Sequence, residues 1–326
     1  MWKGILWVSL TAVLLTTGSV PLVSAAPSRT GESNSQSNAL ASTNLFMTNP
    51  SARVSTLCST SPDLPGGIYK GKGGAFVEDW SNGNLLWCSG GIAKVIGTAP
   101  PGGRSSGYYG MAGISTSTGL VLVLDTFGAR GLWFCDGASS SGCIAQSALI
   151  TLPSSFCTAQ VYGYCNPDGI VLDNQLNVYY ADSLNDDVVE CTASSEYQTC
   201  EVLETLTPQF TVETSNLFID PSGNIWVTDS SNYGYIWENG ALKYTIGQTV
   251  TAITMSKANP EKTLQLYIAV DCIHIHTCTP THILDLTDGD SIPTKLKGAS
   301  DIVGLSSSLQ FTDGYSQAVY STKDKV

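Results

Sequence analysis

Six strand-like segments of this chain end in aspartate: FVED at Asp79, LVLVLD at Asp125, NVYYAD at Asp182, NIWVTD at Asp229, LYIAVD at Asp271 and LQFTD at Asp313. Neighbouring aspartates lie 42 to 57 residues apart. A repeat of that period restricts the chain to architectures that stack one supersecondary unit many times. A shorter strand and a polar turn precede the aspartate, as in GIVLDNQLNVYYAD from Gly169, NLFIDPSGNIWVTD from Asn216 and GISTSTGLVLVLD from Gly113. A third strand follows it, seen in LLWC to Cys88, LWFC to Cys135, VVEC to Cys191 and YIWEN to Asn239. Val, Ile, Tyr, Trp and Thr dominate these segments, and all of them suit a pleated, half-buried surface.

Each unit therefore reads strand, turn, strand, Asp-turn, strand, turn, strand. A four-stranded antiparallel unit cannot bury both faces alone, so such units must pack face to face around an axis. The expected fold is all-β, a six-bladed β-propeller of four-stranded antiparallel blades. Leu45 to Val326 divides into six units of about 47 residues, within the range of propeller blades. Thirteen residues remain after Asp313, enough for a third strand (QAVYS) and no fourth. The sixth blade is expected to take its outer strand from the start of the domain, Leu45 to Val54, which would leave no unpaired edge.

The regions ahead of the repeats read differently. Lys3, the apolar run Ile5 to Leu15 and the small-residue site Val23-Ser24-Ala25 form a secretory signal-peptide pattern over residues 1–25. Residues 26–44 are Ser, Asn and Thr with little apolar surface to bury, which predicts a flexible leader. The propeller is assigned to residues 45–326. No membrane anchor is expected, because the apolar run breaks at Thr16 to Ser19, short of the roughly 20 residues needed to span a bilayer. With 15 Lys plus Arg against 27 Asp plus Glu, the net charge of −12 argues against nucleic acid as a partner. The ten cysteines of a secreted chain read as disulfides. Proximity pairs Cys135 with Cys143, Cys191 with Cys200, Cys157 with Cys165, Cys272 with Cys278 and Cys58 with Cys88, and a monomer is expected.

The units DPSGNIWVTDSSN (Asp220 to Asn232) and DNQLNVYYADSLN (Asp173 to Asn185) resemble NHL repeats and, more broadly, six-bladed propellers of the SMP-30/gluconolactonase type. The resemblance implies the fold more firmly than an activity. Its members include protein-binding scaffolds, calcium-dependent lactonases and esterases, and a zinc-dependent peptide-amidating lyase. The lactonases use a Glu, two Asn and an Asp around their ion, and no Glu stands at a matching position here. Size, acidity, signal peptide and cysteine count also resemble those of the secreted luciferases of syllid fireworms, which would imply an oxidoreductase; no motif carries that likeness.

Residues entering the inner strands should crowd the channel mouth. They are Tyr108 and Tyr109, Asn166 and Asp168, Ser215 and Asn216, Thr251, and Ser300 and Asp301. Asn166, Asp168, Asn216 and Asp301 offer the oxygen types that calcium takes. The repeat aspartates are expected to serve their own turns instead. All three histidines fall in DCIHIHTCTPTH: His274, His276 and His282. Three imidazoles could hold zinc or copper, although the stretch reads as the outer hairpin of the fifth unit, stapled by Cys272 and Cys278. Trp80, Tyr108, Tyr109, Tyr233 and Trp237 are candidate surface aromatics, while Trp87, Trp133 and Trp226 should pack between blades. The expected activity is that of a binding module for a small molecule, a glycan or an extracellular protein. The alternative is a metal-dependent hydrolase or lyase using calcium or zinc, or less expectedly an oxidoreductase.

Overall fold

The structure is a computed structural model and describes residues 47–48, 53–60, 65–79, 83–98, 111–116, 119–126, 131–142, 148–160, 165, 167–182, 184–207, 214–229, 233–256, 265–271, 281–287, 290–296, 301–304, 309–313 and 317–323. Two strands precede the first blade, β1 (Met47–Thr48) and β2 (Arg53–Ser59). The first blade is β3 (Pro65–Gly71), β4 (Gly74–Asp79), β5 (Asn84–Ser89) and β6 (Gly91–Thr98). The second is β7 (Met111–Thr116), β8 (Gly119–Thr126), β9 (Gly131–Cys135) and β10 (Ala148–Thr151), followed by a short helix, α1 (Ser154–Ala159). The third is β11 (Pro167–Leu172), β12 (Val178–Asp182), β13 (Asp187–Cys191) and β14 (Cys200–Thr205). The fourth is β15 (Thr214–Ile219), β16 (Ile225–Asp229), β17 (Tyr235–Glu238) and β18 (Ala241–Thr245). The fifth is β19 (Thr249–Ser256), β20 (Gln265–Asp271), β21 (Thr281–Asp285) and β22 (Asp290–Leu296). The sixth has β23 (Asp301–Gly304), β24 (Leu309–Asp313) and β25 (Ala318–Lys323).

Within each unit successive strands pair antiparallel, as a meander should. The first strand of every unit touches the first strand of the next, and β23 touches β3, so the inner strands form a ring around a channel. Six apolar clusters lie between neighbouring units. Phe76 and Leu85 meet Met111, Leu122 and Trp133 between the first two blades, and Trp87 packs against them. Leu132 meets Ile170 and Tyr180 in the next interface, and Ala181 meets Val227 and Trp237 in the one after. Trp226 and Ile236 meet Ile253 and Ile268, then Tyr267 meets Phe311, and finally Val77 meets Val319 and Cys58. Burying a side chain of that size contributes roughly 1.5–3 kcal/mol, and each blade gains it only from its neighbours. Trp237, expected at the surface, is 1% exposed because its face of β17 turns into the third blade.

The closing strand differs from the expected one. Arg53–Ser59, not Leu45–Val54, pairs antiparallel with β25, and Thr60 N continues the ladder to Gln317 O. Pro50 interrupts the expected segment and cannot donate to a ladder; Met47–Thr48 instead pairs in parallel with β22 of the fifth blade. The strand β2 also pairs in parallel with β6 through Cys58 and Ser59, which fuses the sixth and first blades into one eight-stranded sheet. Cys58 is bonded to Cys88 on β5 across that junction.

Cys157–Cys165 and Cys191–Cys200 are also bonded, the latter pair directly opposite in register. Cys135 is disulfide-bonded as well; its expected partner Cys143, and the pair Cys272 and Cys278, lie outside the described residues.

The ring-closing disulfide spans a longer loop than its neighbours and should matter more. In the chain-entropy view, Cys58→Ala/Cys88→Ala should cost about 3–4 kcal/mol and Cys191→Ala/Cys200→Ala about 2.5–3. Denaturant unfolding of both double variants checks the order. A chain beginning at Ser51 should melt close to the full chain, whereas one beginning at Thr60 should melt far lower; equal melting of the two would refute closure by β2.

Candidate functional site

Four inner strands carry a register shift near their start: between Pro65 and Ile68 in β3, Asp168 and Ile170 in β11, Thr214 and Asn216 in β15, and Val250 and Ala252 in β19. Such bulges re-aim side chains and bend the strand. Of the residues expected at the channel mouth, Asp168, Ser215, Asn216 and Thr251 stand on or beside these shifts. Gly169 shows why the local sequence permits this. Its φ of 67° lies in the left-handed region, and a Cβ there would come within 2.8 Å of Asn216 Cα and 3.0 Å of Leu217 N. Only glycine lets β11 approach β15 so closely.

Asp301 and Asn216 are brought together. Asn216 Nδ2, on the fourth blade, donates to Asp301 Oδ1 at 3.2 Å, on the sixth. Ile302 N donates to the same oxygen at 2.8 Å, and Ile68 N donates to Asp301 Oδ2 at 2.8 Å from the first blade. Three blades therefore meet on one carboxylate. Burial pushes that carboxyl up to about 7, against the lowering effect of the Ile68, Ile302 and Asn216 hydrogen bonds. Thr251 is turned aside, its Oγ1 donating to Ala269 O at 3.5 Å. Asp168 contributes backbone to β11, while Tyr108, Tyr109 and Asn166 lie outside the described residues.

A cavity of about 380 Å3 runs along the channel, walled by all six inner strands. Ile68, Ile170, Val171, Leu217, Phe218 and Ile253 supply the apolar part of its wall, and polar groups make up about as much of it. Asn216 and Asp301 mark the end where inner strands begin; Lys70, Asp220, Pro221 and Met255 mark the other. Tyr69 also lines it, its phenol pushed up by burial, with its ring lying where a Cβ on Gly113 would stand. No sequence motif marks this wall, since it is assembled from one or two residues of each blade.

Two sets of aspartates flank the channel and both serve their own turns. Asp182 Oδ1 accepts from Leu184 N at 3.2 Å and Oδ2 from Asn185 Nδ2 at 2.8 Å; Asp79 Oδ2 accepts from Asn84 Nδ2 at 3.3 Å. At the opposite ends of the strands, Asp173 Oδ1 accepts from Gln175 N and Asn177 N, and Asp220 Oδ1 from Ser222 N and Asn224 N, all at 2.8–2.9 Å. Asp186, beside this first set, is pushed up to about 6 by burial and by Asp187, Asp182 and Asp229.

Calcium or zinc fits the described residues poorly. Of the four candidate oxygen donors, Asn216 points its N–H at Asp301, whose oxygens already accept main-chain N–H groups. A cation cage needs six to eight oxygens turned inward, and among the described residues no group of three or more His, Cys, Asp or Glu stands placed to hold an ion. His274 and His276 lie outside the described residues. The stretch that holds them joins β20 to β21, the second and third strands of the fifth blade, and is not the outer hairpin expected. His282 lies within β21, opposite Val270 and Pro293. The apolar run CIHIH reads as a strand, but Thr281–Asp285 takes that place beside β20.

No protein-family profile matches the chain, and no curated protein matches its sequence. Solved structures do. The virginiamycin B lyase of Staphylococcus aureus aligns with TM-score 0.55 at 12% identity, covering 83% of this chain and 99% of the lyase. A gluconolactonase from Xanthomonas campestris aligns with TM-score 0.55 at 14% identity, covering 84% and 90%. An auxiliary nutrient binding protein from Bacteroides thetaiotaomicron aligns with TM-score 0.57 at 10% identity, covering 84% and 77%. At such identities the likeness is one of fold, and the chain shares the β-propeller fold of the gluconolactonases and the virginiamycin B lyases.

Proposed function

We propose that this protein is a secreted, disulfide-stapled β-propeller that acts as a binding module, with the central channel as its ligand seat. The observation that carries the reading is the cavity itself. Its wall mixes polar and apolar groups, its volume is near the small end of the roughly 300–1,000 Å3 range of ligand pockets, and it is furnished at one end with a buried carboxylate and an amide. Structures with this fold include a nutrient binding protein, which supports the module reading, as well as a lyase and a gluconolactonase. The latter two support a second reading, a hydrolase or lyase on the same scaffold. Three disulfides among the described residues suit an oxidising compartment and support secretion.

A channel seat makes binding sensitive to its volume. Val171→Phe should fill part of the cavity. Small-molecule hits that raise the wild-type melting temperature should lose their effect in the variant; a ligand at 100 times its Kd adds about 2.7 kcal/mol. Hits that survive with the channel filled would place the seat elsewhere. Purified protein that retains a stoichiometric metal, with turnover abolished by chelator, would favour the enzyme instead.

Asp301 also sets a pH dependence. An unfolded aspartate titrates near 3.9, whereas Asp301 in the fold titrates at about 7. Between these values the folded chain holds a proton that the unfolded chain has lost, so this contribution is full below about pH 4 and declines as pH rises through 7. The melting-temperature difference between wild type and Asp301→Asn should therefore shift in favour of the variant from pH 5 to pH 8. A constant difference would place the carboxyl in water.

A further inference from the structure

The carboxylate of Asp301 is enclosed by protein, and its partners among the described residues are three N–H donors with no cation. A charge removed from water without a countercharge is costly, and the cost grows as the surroundings become apolar. Oδ1 accepts two hydrogen bonds and Oδ2 one, so Oδ2 retains a lone pair. The carbonyl oxygen of Asn216 beside it has no hydrogen-bond donor among the described residues, while Nδ2 donates to Asp301. Both residues line the cavity. The polar end of the channel therefore offers two unused acceptors and one uncompensated negative charge.

The remaining wall sets the rest of the ligand. Ile68, Ile170, Val171, Leu217, Phe218 and Ile253 supply hydrocarbon along the channel beside polar groups, which gives an apolar body some contact there. The other titratable groups facing this region are Tyr69 and Lys70 on β3, Asp220 at the far turn, and Glu78, which lies against Gly67. Lys70 and Asp220 line the end remote from Asp301, where the Asp220 carboxylate accepts hydrogen bonds from its own turn. The chain's net charge of −12 draws cations toward it.

The geometry points to a small amphipathic primary amine as the ligand, its ammonium donating to Asp301 Oδ2 and Asn216 Oδ1 and its hydrocarbon lying along the channel toward Met255. This inference rests on the channel being the seat. An ammonium would supply the countercharge that Asp301 lacks, and its three N–H groups outnumber the two acceptors, leaving one for water. A carboxylate head would meet a like charge, and an alcohol would offer one donor and no charge.

The test compares hexylamine, 1-hexanol and hexanoate on the full secreted chain by isothermal titration calorimetry at pH 8, which needs no variant. Hexylamine should bind one to one and at least tenfold more tightly than hexanol, and hexanoate should give no heat. In Asp301→Asn the preference for amine over alcohol should fall at least tenfold, with melting and circular dichroism confirming the fold. Hexanol binding as tightly as hexylamine, or a preference unchanged in the variant, would overturn the amine while leaving the channel as a seat. No binding by any of the three heads would overturn both.

Discussion

Each blade buries its faces only against its neighbours, so everything in this fold depends on the junction where the ring meets itself. An open array would leave the apolar face of β24 and β25 on one side and of β4 and β5 on the other exposed to water. The strand β2 prevents this in three ways. It completes the ladder of the sixth blade, it pairs with β6 of the first, and it carries Cys58, bonded to Cys88. Thr312 Oγ1 adds a hydrogen bond to Gly66 O at 2.7 Å, tying β24 to β3 near the axis. The channel has a fixed bore because this junction is fixed, and the contact of Ile68 N with Asp301 crosses the same seam.

How much of this was legible in the sequence depended on how local the cause was. Aspartates that serve their own turns are local: Asp173 and Asp220 each bond the amides two and four residues ahead and the side chain of Asn177 or Asn224, so the pattern D-x-x-x-N repeats visibly. Cys191 and Cys200 sit opposite across one hairpin, and spacing alone paired them. The closing strand is hard to read locally because its partner, β25, lies more than 250 residues away, and strand propensity favours LFMT as readily as VSTLCS. What distinguishes them is Pro50 in the first and Cys58 in the second.

The site was legible in its chemistry and not in its contacts. Asn216 and Asp301 were recognisable as polar residues entering inner strands, yet they stand 85 residues apart and meet only because two bulges and Gly169 bring three blades to one point. Trp237 was misread for a related reason. Its neighbours Tyr233 and Tyr235 form a ladder of rings from a 58%-exposed tyrosine inward, and sequence does not show where along such a ladder the surface lies.

The placement of Asp301 follows from an obligation of the fold. The inner strand of a propeller has a neighbour on one side only, so its other edge turns unpaired main-chain N–H groups toward the axis. Buried donors of that kind must find an acceptor. A buried side chain can supply that acceptor, and Asp301 is only 7% exposed. A carboxylate at position 301 accepts from Ile302 and from Ile68 across the seam, satisfying two edge donors at once. An amide oxygen could do as much for the hydrogen bonds without burying a charge. The fold instead carries an acid whose ionised form is destabilised by its burial. The same edge that makes a propeller hard to seal thus gives it a reason to hold a charge on its axis.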